Sequence, residues 1–219
     1  MDLRAEQNAP VAANREKELL SHVLTYAIRW GVINTNPCAH VKRIKVKRRD
    51  RYIEDWEFEA VLRIASPLMK SLMEFAYLTG LRQADILDLK RSHLKYDGIY
   101  VQTSKTGVKL IIAYSPSLEI VLEDAKRLSP YSMYLFAKPR DGQRYTARGI
   151  SAIWQRLMNK ALDTGVIKER FTFKDIRRKT ATDLERETSR EAARKLLGHT
   201  SQEMTERYIS GYQKVTPIK

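Results

Sequence analysis

The chain has almost no cysteine: Cys38 is the only thiol in 219 residues. One thiol permits no internal disulfide and excludes a cysteine metal cluster. Histidine is scarce too, with His22, His40, His93 and His199 far apart and without ligand spacing. No metal and no cofactor are therefore expected. No run of about 18 apolar residues is present, so no membrane-spanning helix is expected either. The opening Met1-Asp-Leu-Arg-Ala-Glu lacks the basic-then-apolar plan of an export signal, which points to a cytoplasmic protein. Internal repeats and low-complexity segments are also missing.

Positive charge is what the chain has in excess. Lysine and arginine number 40 against 26 acidic residues, a formal net charge of +14. Such a surface draws in polyanions and speeds their encounter, while saying nothing about fold. The charge is clustered as well. Lys42, Arg43, Lys45, Lys47, Arg48, Arg49 and Arg51 share one stretch with a lone acid, Asp50. By itself the stretch fits a solvated tether as well as a linker that contacts phosphate.

Leu19, Leu20, Val23, Leu24, Ala27 and Ile28 recur at helical spacing and predict a helix over about 12–30. Gly31 and Asn34-Thr-Asn-Pro37 stop it. One helix with one apolar face must pack on something, either the remainder of the chain or a domain of which it is the last helix. Downstream, helices are predicted over about 54–65 and 68–78, broken at Pro67, with a short helix from Arg82 through Leu89. Ile99-Tyr-Val-Gln-Thr and Lys109-Leu-Ile-Ile-Ala-Tyr read as short strands around Lys105-Thr-Gly107, a β-hairpin. Tyr134-Leu-Phe-Ala reads as a third strand or an extended segment. Ser115-Pro116 opens another helix, serine as cap and proline in the first turn. Further helices are predicted over roughly 147–163, 174–186, 189–197 and 202–208. Capping boxes are expected at Thr188/Glu191 and Thr200/Glu203, and Gly198 ends a helix. The fold class is mainly α with a small antiparallel β-sheet, that is, α+β.

Several residues are candidates for chemistry, and each has a plainer reading. Arg82 and Asp85 share a helix face, as minor surface ion pairs commonly do. Lys105 is held out at a hairpin tip, where most lysines are only solvated. Lys174, Arg177 and Arg178 open a helix, where the dipole disfavours cations unless an anion is bound. Tyr208 ends the last predicted helix, a place where tyrosines nearly always pack or face water.

Taken together the candidates say more. Thr79-Gly-Leu-Arg82-Gln-Ala-Asp85-Ile-Leu-Asp-Leu resembles the first catalytic-arginine segment of the tyrosine recombinase, or phage integrase, family. Thr103-Ser-Lys105-Thr-Gly-Val-Lys resembles that family's catalytic-lysine hairpin, and Lys174-Asp-Ile-Arg177-Arg-Lys-Thr-Ala181-Thr its His-x-x-Arg segment. Leu196-Leu-Gly-His199-Thr-Ser with Thr205-Glu-Arg-Tyr208 is similar to its final motif. The order and spacing are met across roughly residues 50–210. Tyr26-Ala-Ile-Arg-Trp-Gly-Val-Ile-Asn-Thr-Asn-Pro37 resembles the last core-binding helix and its exit into the linker.

The resemblance implies an integrase catalytic-domain fold over 53–219, a basic interdomain linker over 41–52, and over 1–40 the last helix of a core-binding domain. It implies catalysis by Arg82, Lys105, Lys174, Arg177, His199 and Tyr208, with Asp85 as support. Tyr208 would attack the scissile phosphate and form a 3′-phosphotyrosyl bond, metal-free. The implied partners are double-stranded DNA attachment sites, a homotetramer on two duplexes, and DNA-bending and directionality proteins, with no membrane. Lys174 departs from the family's common histidine; a lysine is ordinarily charged at neutral pH and so a poor general base. Two other readings stay open: an inactive DNA-binding relative, and a type IB topoisomerase- or telomere-resolvase-like enzyme.

Overall fold

The structure is a computed structural model that describes residues 9–46 and 50–198 together with positions 201, 205 and 208. The chain divides within the basic stretch into Met1–Arg49 and Asp50–Lys219.

In the first unit, α1 (Pro10–Arg29) starts with proline in its first turn, where no intrahelical amide bond is required. The predicted stop works through Asn36. Its carbonyl oxygen accepts from the Cys38 amide at 2.9 Å and opens a 3-10 turn over Pro37–His40. Its amide nitrogen donates to the Ser21 carbonyl at 3.0 Å, tying the turn to the helix. Asn14 exchanges two 2.9 Å bonds with the Ile44 backbone, so the chain returns along α1. Leu19, Leu20, Val23 and Tyr26 remain exposed.

The second unit contains α2 (Asp55–Ile64), α3 (Pro67–Thr79), α4 (Gln83–Leu87), β1 (Leu94–Lys95), β2 (Gly98–Gln102) and β3 (Lys109–Ile112). It continues with α5 (Pro116–Leu128), α6 (Ala147–Asp163), α7 (Phe173–Glu187) and α8 (Arg190–Leu196). The strands form an antiparallel sheet in the order β1-β2-β3, with Val101 opposite Leu110 and Gln102 opposite Lys109. The third strand is thus Leu94–Lys95, too short for any periodicity to announce it. Tyr134 and Ala137 make only isolated bridges, to Lys90 and Arg144. Phe75 meets Phe136 edge-on at 5.4 Å, and Trp154 meets both Phe171 and Phe173. These aromatic contacts pin α3, α6 and the start of α7 to one core. No helix among the described residues is long and apolar enough to cross a membrane.

The caps decide where the site-bearing helices begin. Ser115 accepts from the Leu118 amide at 3.2 Å and opens α5 as expected. At α7, Asp175 reaches back to the Thr172 amide at 2.8 Å and its hydroxyl at 2.9 Å. The cap of α8 corrects the sequence reading by one residue. Ser189, not Thr188, is the cap, accepting from the Ala192 amide at 3.1 Å. Thr188 instead closes α7, its amide donating to the Leu184 carbonyl at 3.0 Å. The box expected at Thr200/Glu203 lies outside the described residues.

Candidate active site

α3 ends at Gly80, whose φ of +60° is costly for any residue with a side chain. A Cβ there would stand 3.0 Å from Leu197 Cδ2, so glycine also lets the end of α8 pack close. The turn buries Leu81 and places Arg82 at the N-cap of α4, with 18% of its side chain exposed. Asp85 follows one turn later and is buried. One carboxylate oxygen lies 3.9 Å from Arg82 Nη1. The other accepts from the Ser104 amide at 2.8 Å and the Ser104 hydroxyl at 2.6 Å. Asp85 therefore ties the Arg82 helix to the β2–β3 turn, in which Lys105 is the next residue. Two bonds between Thr103 and its partners Val108 and Gly107 close that turn, and Gly107 supplies its left-handed φ of +68°.

Residues Lys174 and Arg177 come from the first turns of α7. Lys174 is exposed. Arg177 is buried, and its guanidinium donates to the Gly80 carbonyl and, at 2.7 Å, to that of Leu197. The Tyr208 ring lies with its centroid 5.4 Å from the guanidinium carbon. Burial, and after it the charge of Arg82, pushes Arg177 down to about 10, against Tyr208 and Asp85, which hold it up. At neutral pH it keeps its charge.

A cavity of about 340 Å³ gathers these groups. Arg82, Lys105, Lys174, Arg177 and Tyr208 all line it, over a floor that includes Ala76, Leu81 and Phe173. Four cationic side chains thus meet one phenol, while the Asp85 carboxylate is engaged with Ser104 and Arg82. Like charges this close favour an anion between them, and two arginine forks suit tetrahedral oxyanions.

Sequence reasoning missed two residues here. Gln83 lines the cavity, and its amide nitrogen is buried without a hydrogen-bond partner among the described residues. Ser104 is the anchor of the lysine turn. Both adjoin a predicted site residue, the only signal that could have marked them.

His199 lies outside the described residues, as do Lys47, Arg48 and Arg49. Lys42, Arg43 and Lys45 are exposed in the first unit, with Arg43 paired to Glu18 at 2.7 Å. Arg51 departs from the expected linker role. It belongs to the second unit, where it pairs with Glu57 at 2.6 Å and Glu169 at 3.3 Å and donates to the Tyr52 carbonyl. Only 13% of its side chain is exposed, because two carboxylates offset the cost of burying it. That leaves it little to offer a phosphate.

Two arginines, two lysines and a tyrosine thus share one cationic cavity, an arrangement suited to holding a phosphate. The model of the phage integrase family matches residues 51–214, and the chain belongs to that family. It is similar to the integrase of Enterobacteria phage 434, at 28% identity over 93% of this chain and 59% of the relative. It is also similar to the integrase of Enterobacteria phage P21, at 30% identity over 79% of this chain and 49% of the relative. The chain thus spans about half of these relatives' length. Among solved structures, a lambda integrase dimer bound to a COC′ core site superposes with a TM-score of 0.85 at 24% identity, covering 98% of this chain and 80% of that one. The Tn1549 transposon integrase in complex with circular intermediate DNA gives 0.73 at 17% identity, over 96% of this chain and 79% of that one. These likenesses establish the fold.

Proposed function

We propose that the chain is the catalytic portion of a site-specific DNA recombinase that cleaves and rejoins strands through Tyr208. The observation that carries this is the convergence of Arg82, Arg177, Lys105, Lys174 and Tyr208 on one cavity in a member of the phage integrase family.

The chemistry follows from what each group can do. The Tyr208 oxygen attacks the scissile phosphorus as its proton passes to water. The bond from phosphorus to the 5′-oxygen breaks, leaving a 3′-phosphotyrosyl ester and a 5′-hydroxyl. The ester conserves the phosphodiester bond, so a 5′-hydroxyl from a second duplex can reverse the step on a new strand. Arg82 and Arg177 meet the charge that develops on the non-bridging oxygens. Loss of either should cost roughly 10²–10³ in rate, as for one preorganised donor elsewhere. Lys105 protonates the departing 5′-oxygen, which an ammonium can do and a guanidinium practically cannot. Lys174 holds the phosphate electrostatically, and His199 donates a hydrogen bond to it. Asp85 keeps Arg82 and the Lys105 turn in register and touches no substrate.

The partners are double-stranded attachment sites, with four copies assembled on two duplexes and DNA-bending and directionality proteins beside them. The lambda integrase tetramer bound to a Holliday junction, with a TM-score of 0.84, supports such an assembly. The reaction takes place in the cytoplasm of the host cell. Residues 1–40 serve as the end of a core-binding domain, and Lys42–Arg49 as the linker's phosphate contacts.

The test is incubation with a nicked suicide duplex carrying the attachment site. A denaturation-resistant protein–DNA adduct supports the reading. Its absence, with DNA binding intact, favours an inactive DNA-binding relative. Relaxation of supercoils without joining of paired sites would favour a topoisomerase-like enzyme.

A further inference from the structure

Lys179 is only 2% exposed, although its side chain carries a full charge. Lysines are almost never buried unless paired, and this one is enclosed by partners. Its ammonium donates to the Tyr52 hydroxyl at 3.1 Å, bonds the Asp55 carboxylate, and pairs with Asp183 at 3.0 Å. It also sits over two rings, 4.8 Å from the centroid of Tyr52 and 5.6 Å from that of Tyr77. Asp183 in turn accepts from the hydroxyls of Tyr52 at 2.5 Å and Tyr77 at 3.0 Å. Burial works against the charge, but the bonds to Asp55, Tyr52 and Asp183 outweigh it and push the ammonium upward.

Stability alone is a weak account of such a cluster. Replacing a buried ion pair with apolar side chains of similar volume is often neutral or stabilising. Its placement says more. The cluster joins three pieces of chain: the segment that leaves the basic linker, through Tyr52 and Asp55; the last turn of α3, through Tyr77; and α7, through Lys179 and Asp183. The Thr180 hydroxyl reinforces the α3–α7 contact by donating to the Tyr77 carbonyl at 2.8 Å. Three residues after Tyr77 comes Gly80, whose carbonyl holds Arg177, and two residues later Arg82. On α7, Lys179 lies two residues beyond Arg177, about 200° around the helix and so on its opposite side. The separation of α3 from α7 is therefore also the separation of the two arginines. Lys179 does not line the catalytic cavity, so it acts on the site only through these elements.

We propose that Lys179 is a positioning residue, which fixes the spacing of Arg82 and Arg177 by tying the last turn of α3 to α7. The proposal rests on the recombinase reading, in which those arginines clamp the scissile phosphate. Through Tyr52 and Asp55, the same ammonium makes the clamp depend on the segment next to the linker.

The test measures single-turnover adduct formation by the full chain at saturating nicked DNA, alongside DNA affinity and melting. A misplacement of about 1 Å costs on the order of 10²-fold, so Lys179→Met should slow adduct formation roughly 10- to 100-fold with affinity within about twofold. The defect should be equally large on a 5′-bridging phosphorothiolate, because a misplaced clamp is not a missing acid. Lys179→Arg, which keeps the charge and the donors, should restore most of the rate. Should Lys179→Met not fold, Tyr77→Phe carries the test. It removes one hydroxyl from the cluster at the α3 end, and adduct formation should slow by roughly tenfold. Wild-type rates in a folded Lys179→Met or Tyr77→Phe variant overturn the proposal. So does a loss confined to melting temperature. A wild-type protein that forms no adduct overturns the recombinase reading and this inference with it, an outcome distinct from a wild-type adduct with unaffected variants.

Discussion

Replacing Asp85 with alanine removes the carboxylate that couples Arg82 to the lysine turn, and the structure sets the size of the effect. Two bonds from Ser104, at 2.8 and 2.6 Å, are lost. Ser104 is itself exposed and can turn to water, so each bond counts as an ordinary hydrogen bond, below the charge-assisted range. Arg82 loses its anion at 3.9 Å while still confronting Arg177 in the same cavity. At about 1 kcal/mol for each hydrogen bond and about 1–2 kcal/mol for the guanidinium left beside a like charge, the loss is roughly 3–4 kcal/mol. In a protein of this size that lowers Tm by roughly 6–16 °C. Thermal melting and urea unfolding of the full chain measure it, with the urea slope unchanged if the effect is local. Duplex DNA should narrow the deficit, because a bound phosphate restores negative charge between the arginines. A Tm within about 2 °C of wild type would refute the reasoning, since the bonds to Asp85 would then contribute almost nothing. A deficit that DNA leaves unchanged would place the loss outside the clamp.

Four further outcomes are expected. Tyr208→Phe should abolish the covalent adduct while leaving salt-dependent DNA affinity nearly intact, and an adduct at the wild-type rate would refute Tyr208 as nucleophile. Lys105→Ala should slow cleavage of a normal 5′-oxygen leaving group but recover much of its rate on a 5′-bridging phosphorothiolate, since a thiolate leaves without a proton; equal defects on both substrates would reject it as the acid. Neutralising Lys42, Arg43 and Lys45 together should weaken specific and random DNA alike and reduce the slope of log K against log salt by roughly 0.9 for each lost phosphate contact. An unchanged slope would make the stretch a solvated tether, and Arg51→Ala should differ from all three by lowering Tm rather than the slope, because its charge is matched by Glu57 and Glu169.

What the sequence determined by itself is whatever depends on neighbours along the chain. The helix over Ala147–Asp163 follows from apolar spacing, the start of α5 from Ser115 and Pro116, and the lysine hairpin from two alternating runs around Lys105-Thr-Gly107. The candidate residues were legible because four motifs stand in a fixed order, each on a local element. Where two cap residues adjoin, as at Thr188 and Ser189, local pattern picked the wrong one, since the choice turns on which backbone becomes extended. Only the tertiary structure decided which charges are free and which are engaged. Arg51 looks like one more linker cation until Glu169, 118 residues away, is brought beside it. Lys179 looks like a surface lysine of a basic helix until Tyr52, Asp55 and Tyr77 close around it. The same folding turns Asp85 from half of a helix-surface pair into the link between Arg82 and Ser104. A side chain's periodicity reports which face it occupies, whereas its charge state and role depend on the dielectric and the partners around it. Those are supplied by segments far away in sequence, and no local pattern encodes them.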